Sequence, residues 1–72
     1  MEEKRKRWME RVIGGRLGRR VEVVHADRPV WPYRKVWIET PDGLPEPVMV
    51  EFDPAAPDTI REVYIFAPRR GA

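Results

Sequence analysis

A 72-residue chain that contains no cysteine has to hold its fold together without a disulfide bond or a thiolate metal site. A chain of this length forms one domain at most, near the lower size limit at which apolar burial offsets the entropy lost on ordering. With a single histidine, His25, a multi-histidine metal cage is excluded as well. Association is the remaining source of stability, so the sequence predicts an oligomer, most simply a homodimer.

The sequence also lacks serine, asparagine and glutamine, while arginine and proline are abundant. This composition is typical of proteins from heat-adapted sources. It removes the common hydroxyl and thiol nucleophiles, leaving Thr40, Thr59 and the tyrosines as hydroxyl candidates. We therefore expect a protein that is not an enzyme and that needs neither a cofactor nor a metal ion.

Residues 2–14 carry the pattern of an amphipathic helix. Four apolar residues recur at helical spacing and form one stripe: Trp8, Met9, Val12 and Ile13. Glycines at positions 14 and 15, or the glycine at 18 one turn later, are signals that end a helix. The N-terminal segment is therefore predicted to be a helix with one side available for packing.

Four strand-like segments follow, at about residues 20–25, 33–40, 47–53 and 62–67, with a tail at 68–72. The second and third are separated by a "TPDG" turn signal and are expected to pair as a hairpin. The proline-rich stretch "PAAPDT" is expected to form a loop before the last strand. These patterns predict a single α+β domain over residues 1–72, with two layers: the helix packed on a three- to four-stranded antiparallel sheet.

The alternation of residues along these strands distributes apolar side chains to both faces of the sheet. One face receives an aliphatic set that a single helix can cover: Val36, Ile38, Val48, Val50, Phe52, Val63 and Ile65. The other face receives Tyr33, Trp37, Met49, Tyr64 and Phe66, diluted by charged residues. A half-solvated sheet alternates apolar with polar residues, so aromatic residues on the second face indicate that something else lies against it.

A second copy of the chain is the expected occupant of the aromatic face, packed sheet on sheet or edge to edge. The predicted interface includes Trp31, because a large ring between two prolines must either fold back or meet a partner. It comprises Trp31, Tyr33, Trp37, Met49, Tyr64 and Phe66. A different protein partner, a small-ligand or enzyme-like pocket at a dimer seam, and unpaired bases stacked on the face are the alternatives. Residues 21–68 hold four cations against nine acids, which disfavours the last of these.

Residues 1–20 hold eight cations against three acids, so the chain is a charge dipole rather than uniformly basic. Such cations can form the solvated side of the helix and pair with the acidic sheet. Alternatively they can contact nucleic-acid phosphates. The residues available for this second role are Lys4, Arg5, Lys6, Arg7, Arg11, Arg16, Arg19 and Arg20.

Other motifs in the sequence are expected to be structural. His25 and Asp27 could suggest a base and its orienting acid, but such a pair needs a nucleophile or a substrate pocket nearby, and a histidine at a strand end before a turn is typically structural. Glu51 and Asp53, with Glu39, could offer oxygens to a divalent ion but lack the glycine-bearing loop of a calcium site. No apolar run approaches the length of a membrane span, and we expect a soluble cytoplasmic protein without membrane contact.

Overall fold

The computed structural model describes residues 3–66 and contains one helix followed by four strands. These are α1 (Glu3–Leu17), β1 (Val23–Ala26), β2 (Tyr33–Ile38), β3 (Glu46–Asp53) and β4 (Ala56–Ile65). Each strand pairs antiparallel with the next, giving the sheet order β1-β2-β3-β4. The predicted α+β fold, with an N-terminal helix packed on an antiparallel sheet, is confirmed. Glu2, Ala67 and the predicted tail at 68–72 lie outside the described residues.

The helix continues through the two glycines at 14 and 15 and ends at Leu17, one turn beyond the predicted boundary. Gly18 adopts a φ of 75°, a left-handed conformation that favours glycine and terminates helices. The backbone N–H groups of Gly18 and Arg19 both donate to the carbonyl of Gly14, at 2.8 and 3.1 Å. Of the two stop signals in the sequence, the later one is therefore used.

The fourth strand begins at Ala56, whereas the sequence pattern predicted a loop until about residue 62. The turn between β3 and β4 needs only Pro54 and Ala55, and the carboxylate of Asp53 accepts a hydrogen bond from the Ala55 N–H at 2.9 Å. Pro57 is tolerated inside the strand because β4 is an edge strand, where a missing N–H need not interrupt a ladder. Proline content therefore predicted more loop than the sheet contains.

The first strand is shorter than predicted, beginning at Val23 rather than near residue 20. Its pairing with β2 is irregular between Val23 and His25, which indicates a bulge at the start of the sheet. The second strand, β2, ends at Ile38, two residues earlier than predicted. In the predicted "TPDG" turn that follows it, the Gly43 N–H donates to the Thr40 carbonyl at 2.9 Å.

The core lies between α1 and one face of the sheet. Its buried apolar residues are Met9, Ile13, Val21, Val23, Val36, Ile38, Val48, Val50, Phe52 and Ile60. Of the predicted aliphatic face, Val63 is only partly buried and Ile65 is exposed. Both lie among the last residues of β4, whereas Ile60, nearer the start of the same strand, is buried.

Polar contacts fasten α1 to both edge strands. Glu10 of the helix accepts a hydrogen bond from the backbone N–H of Val23 at the start of β1, at 2.9 Å. On the opposite side, Arg16 donates through Nη1 to Glu62 of β4 at 2.7 Å and through Nη2 to the Arg61 carbonyl at 3.3 Å. The helix is thereby held across the sheet by contacts at two separate points.

Candidate interaction surfaces

The face of the sheet opposite α1 is not covered by any described element of the chain. We call it the outer face and define it by Tyr33, Lys35, Trp37, Met49, Glu51, Tyr64 and Phe66. Cross-strand pairing sets Lys35 opposite Met49 and Met49 opposite Tyr64, so these three side chains form one row across β2, β3 and β4. Tyr33 and Tyr64 are 41% and 45% exposed and Phe66 is 43% exposed. Five of the six residues predicted for the interface therefore share one open surface.

A lysine ammonium lies among the aromatic rings of the outer face. Lys35 Nζ lies 5.1 Å from the ring centroid of Trp37 and 5.4 Å from that of Phe66. At these distances the cation is attracted by the negative faces of the rings. The His25 ring also packs against Trp37, and the two ring centroids are 5.2 Å apart. The rings are thus held in place within the described chain before any partner is added.

Glu51, on β3, is the described charged residue with the least exposure, at 9%. Its Oε1 accepts a hydrogen bond from the hydroxyl of Tyr64 at 2.6 Å, and its Oε2 lies 3.4 Å from Nη1 of Arg61. The hydrogen bond to Glu51, together with desolvation and the nearby negative charge, raises the pKa of Tyr64 to about 12. The outer face therefore carries a polar cluster beside its apolar part.

Trp31, the sixth predicted interface residue, lies on the helix side of the sheet. Its ring stacks on Phe52, with a centroid distance of 5.5 Å and an interplanar angle of 10°. Phe52 in turn stacks on Trp8 of the helix at 6.3 Å and 26°. We call these three residues the aromatic row. Of the two outcomes expected for Trp31, the ring folds back onto its own chain, and 53% of the residue nonetheless stays exposed.

Sequence reasoning missed the aromatic row because its three members come from distant parts of the chain. The available signal was the parity of Phe52, which placed that ring on the helix side. The structure adds a hydrogen bond of 2.7 Å from the Phe52 N–H to the Pro32 carbonyl, which brings the Trp31 loop against β3. That bond depends on the pairing of β2 with β3 rather than on local pattern.

The cations of the N-terminal segment divide into two groups. Three form ion pairs: Arg7 with Glu3 at 3.4 Å, Arg16 with Glu62 at 2.7 Å, and Arg19 with Glu46 at 3.8 Å. Within residues 3–66, the other five form no ion pair: Lys4, Arg5, Lys6, Arg11 and Arg20. Ion pairs with acidic residues of the sheet thus involve only Arg16 and Arg19 of these eight cations.

A cleft of about 320 Å³ lies beside the first turns of α1. It is lined by Lys4, Arg5, Trp8 and Asp58 of β4. The Arg5 guanidinium lies 5.9 Å from the centroid of the Trp8 ring. The cleft therefore places two cations at the end of the aromatic row, together with one acid.

The remaining candidate motifs are exposed or paired. His25 Nε2 lies 3.1 Å from Oδ1 of Asp27, and both side chains are solvent-exposed. Asp53, one of the three acids considered for a cation, lies 3.6 Å from Nη2 of Arg61. Over residues 3–66 no three histidine, cysteine or acidic side chains gather as they would around a metal ion. Nor does any helix in this part of the chain have the length and apolar character of a membrane span.

Comparison of the chain with protein-family models, with curated proteins and with solved structures finds no match.

Proposed function

We propose that this chain is a non-enzymatic interaction module that works as a homodimer, with the outer face of the sheet as its contact surface. The observation that supports this proposal is that α1 is already used on one face, while the other presents half-exposed rings of Tyr33, Tyr64 and Phe66. Exposed apolar clusters of this kind on small domains mark contact sites. Trp31 is not part of this surface, because its ring lies on the helix side.

A second copy is favoured as the occupant for two reasons. A domain of this size gains little stability from its own interior, and burial of a second sheet face supplies more. The outer face also carries both signs of charge, with Lys35 at its centre and Glu51 towards one end. In a twofold arrangement, the lysine of one copy can face acidic residues of the other, so the surface can complement itself.

Packing of face against face is favoured over pairing of sheet edges. The β4 edge contains Pro57, which has no N–H to donate, and the Arg61 carbonyl is taken by Arg16 at 3.3 Å. At the other edge, β1 is only four residues long. Both edges are thus poor templates for a strand from another molecule.

The substitution Met49→Glu tests the dimer because Met49 lies in the middle row of the outer face. Lys35 lies directly opposite, so the isolated subunit should tolerate the new carboxylate, whereas a dimer would have to bury it. We expect the dimer dissociation constant to rise about 10-fold or more, measured by sedimentation at micromolar concentration. The matched control is Leu44→Glu, at a 70% exposed residue in the β2–β3 loop, which should leave the dimer intact. A wild-type monomer under these conditions would contradict the proposal.

We also propose that the protein is cytoplasmic and comes from a heat-adapted source. The absence of cysteine and the abundance of arginine and proline support this proposal.

A second candidate function is nucleic-acid binding by the N-terminal basic segment. It is favoured by the five cations that have no ion pair within residues 3–66, since paired cations would lose their partners on meeting phosphate. Titration of labelled single- and double-stranded DNA and RNA at two salt concentrations tests it. Affinity that falls steeply with salt supports this function, and the absence of binding at low salt contradicts it.

A further inference from the structure

We propose, building on the second candidate function, that the aromatic row and the adjoining cleft bind single-stranded nucleic acid. In this site Trp31 stacks on an unpaired base, and Lys4 and Arg5 contact phosphates. The site lies on the helix side of the sheet, away from the outer face, so it can operate in either a monomer or a dimer.

The geometry of the row leaves one stacking position open. Phe52 has rings on both sides, Trp8 at 6.3 Å and Trp31 at 5.5 Å, and is itself buried. Trp31 is the outer member, nearly parallel to Phe52, and 53% exposed. A flat base placed on the free side of Trp31 would extend the stack by one ring. Aromatic platforms of this kind hold unpaired bases without regard to sequence.

The loop that carries Trp31 is held in position by backbone hydrogen bonds, and the ring itself stacks on Phe52. Val30 and Tyr33 exchange two hydrogen bonds, at 2.8 and 2.7 Å, closing the loop around Trp31 and Pro32. The Pro32 carbonyl accepts the Phe52 N–H at 2.7 Å. Little conformational freedom is then lost when a base stacks, which favours binding.

Positive charge meets the row at its Trp8 end. Lys4 and Arg5 line the cleft beside Trp8, and neither forms an ion pair within the described chain. Arg28, three residues before Trp31 in the chain, is exposed and forms no ion pair within the same range, so a further cation lies close to Trp31 in sequence. Asp58 also lines the cleft and opposes an anion there. The substitution Asp58→Asn should therefore tighten binding.

The chemistry of the site distinguishes single strands from other ligands. A duplex keeps its bases paired and stacked inside, so it offers Trp31 no free base face. A proline-rich peptide could pack on exposed tryptophan, but its binding would not depend on Lys4 and Arg5 or on salt. A salt-dependent preference for single strands is thus the signature of the proposed site.

The test uses the full chain with a labelled oligothymidylate and a duplex of matching length, each at two salt concentrations. We expect tighter binding of the single strand, and Trp31→Leu should weaken it roughly 5- to 150-fold while leaving duplex affinity unchanged. Trp31→Phe, which keeps a ring, should retain most of the affinity. The double substitution Lys4→Glu with Arg5→Glu should weaken binding of both the single strand and the duplex. It should also make the affinity depend less steeply on salt concentration. Leu44→Ala, at another exposed apolar residue, is the matched control.

A measurement on the wild-type chain keeps the test independent of variant folding. On addition of oligothymidylate, the indole N–H signal of Trp31 should shift in NMR spectra, while that of Trp37 on the outer face should not. If single strand and duplex bind equally and Trp31 does not respond, the stacking site is disproved while nucleic-acid binding by the basic segment stands. If neither binds at low salt, both proposals fail. Salt-independent binding of a proline-rich peptide in place of the oligonucleotide would also overturn the site.

Discussion

The hydroxyl of Tyr64 on β4 donates a 2.6 Å hydrogen bond to Oε1 of Glu51 on β3, a residue only 9% exposed. Burial of a charged carboxylate without a hydrogen bond costs free energy, so the donor supplied by Tyr64 stabilises Glu51 in its buried position. Arg61 approaches the other oxygen at 3.4 Å, a distance at which the ion pair is weak. Tyr64 is thus the principal partner of this carboxylate.

This bond predicts a dependence of stability on alkaline pH. The pKa of Tyr64 is raised from 10.0 to about 12 in the folded chain, so the folded state holds the phenol proton more tightly than the unfolded state. The resulting stabilisation is fully present below pH 10 and is lost as the pH rises towards 12. Denaturant unfolding across this range should show the loss in the wild type.

The matched variant is Tyr64→Phe, which removes the titrating group and keeps the ring. Its free energy of unfolding should be lower at neutral pH but should fall less steeply than that of the wild type above pH 10. Absorbance titration of the wild type should also show a tyrosine that ionises near pH 12 and that is missing from Tyr64→Phe. Equal slopes for the two proteins would show that the hydrogen bond does not control this range.

Two adjacent glycines in α1 should respond to alanine in opposite directions. A Cβ at Gly14 would lie 2.7 Å from the Arg19 carbonyl oxygen, a backbone atom that cannot move freely, whereas a Cβ at Gly15 meets nothing within 4 Å. We expect Gly14→Ala to destabilise the fold by about 1–3 kcal/mol through this clash. Gly15→Ala should stabilise it by about 0.5–1 kcal/mol, because alanine favours the helix. Thermal unfolding measures both, and a shared direction would contradict the close approach at Gly14.

Glu10 should contribute to stability through its contact with β1 rather than through its charge. Its carboxylate accepts the Val23 N–H at 2.9 Å in a partly buried position, so Glu10→Ala leaves that donor without its partner. We expect a loss of about 1–3 kcal/mol in the free energy of unfolding. Glu10→Gln keeps an acceptor oxygen and should recover most of the loss. A glutamine variant as unstable as the alanine variant would show that the charge matters more.

Arg16 should protect the β4 edge from pairing with other chains. Its side chain occupies the Arg61 carbonyl and the Glu62 carboxylate, and Arg16→Ala would free both. The exposed ion pair itself should contribute less than about 1 kcal/mol, so the expected effect is aggregation at high concentration with little change in melting temperature. Arg11→Ala removes a cation without an ion pair within residues 3–66 and is the control in light scattering. Equal aggregation of the two variants would contradict this role.

Local pattern in the sequence was enough to predict the α+β class, the β2–β3 hairpin and the division of the sheet into an aliphatic and an aromatic face. Helical and strand periodicities depend only on residues close together in the sequence. They therefore predict which side chains share a face, regardless of what packs against that face. For the same reason the pattern correctly placed five predicted residues on the outer face: Tyr33, Trp37, Met49, Tyr64 and Phe66.

Tertiary structure decided the features that depend on contacts between distant residues. The sequence left open whether the Trp31 ring folds back or meets a partner, because the Phe52 ring that receives it is twenty-one positions away along the chain. The cations at 4–20 could not be divided into paired and unpaired groups, since Arg16 meets Glu62 across 46 positions. The sequence by itself determined which residues can be buried together, because periodicity is local. Only the folded chain decided which charges and rings meet, because that depends on how the helix crosses the sheet.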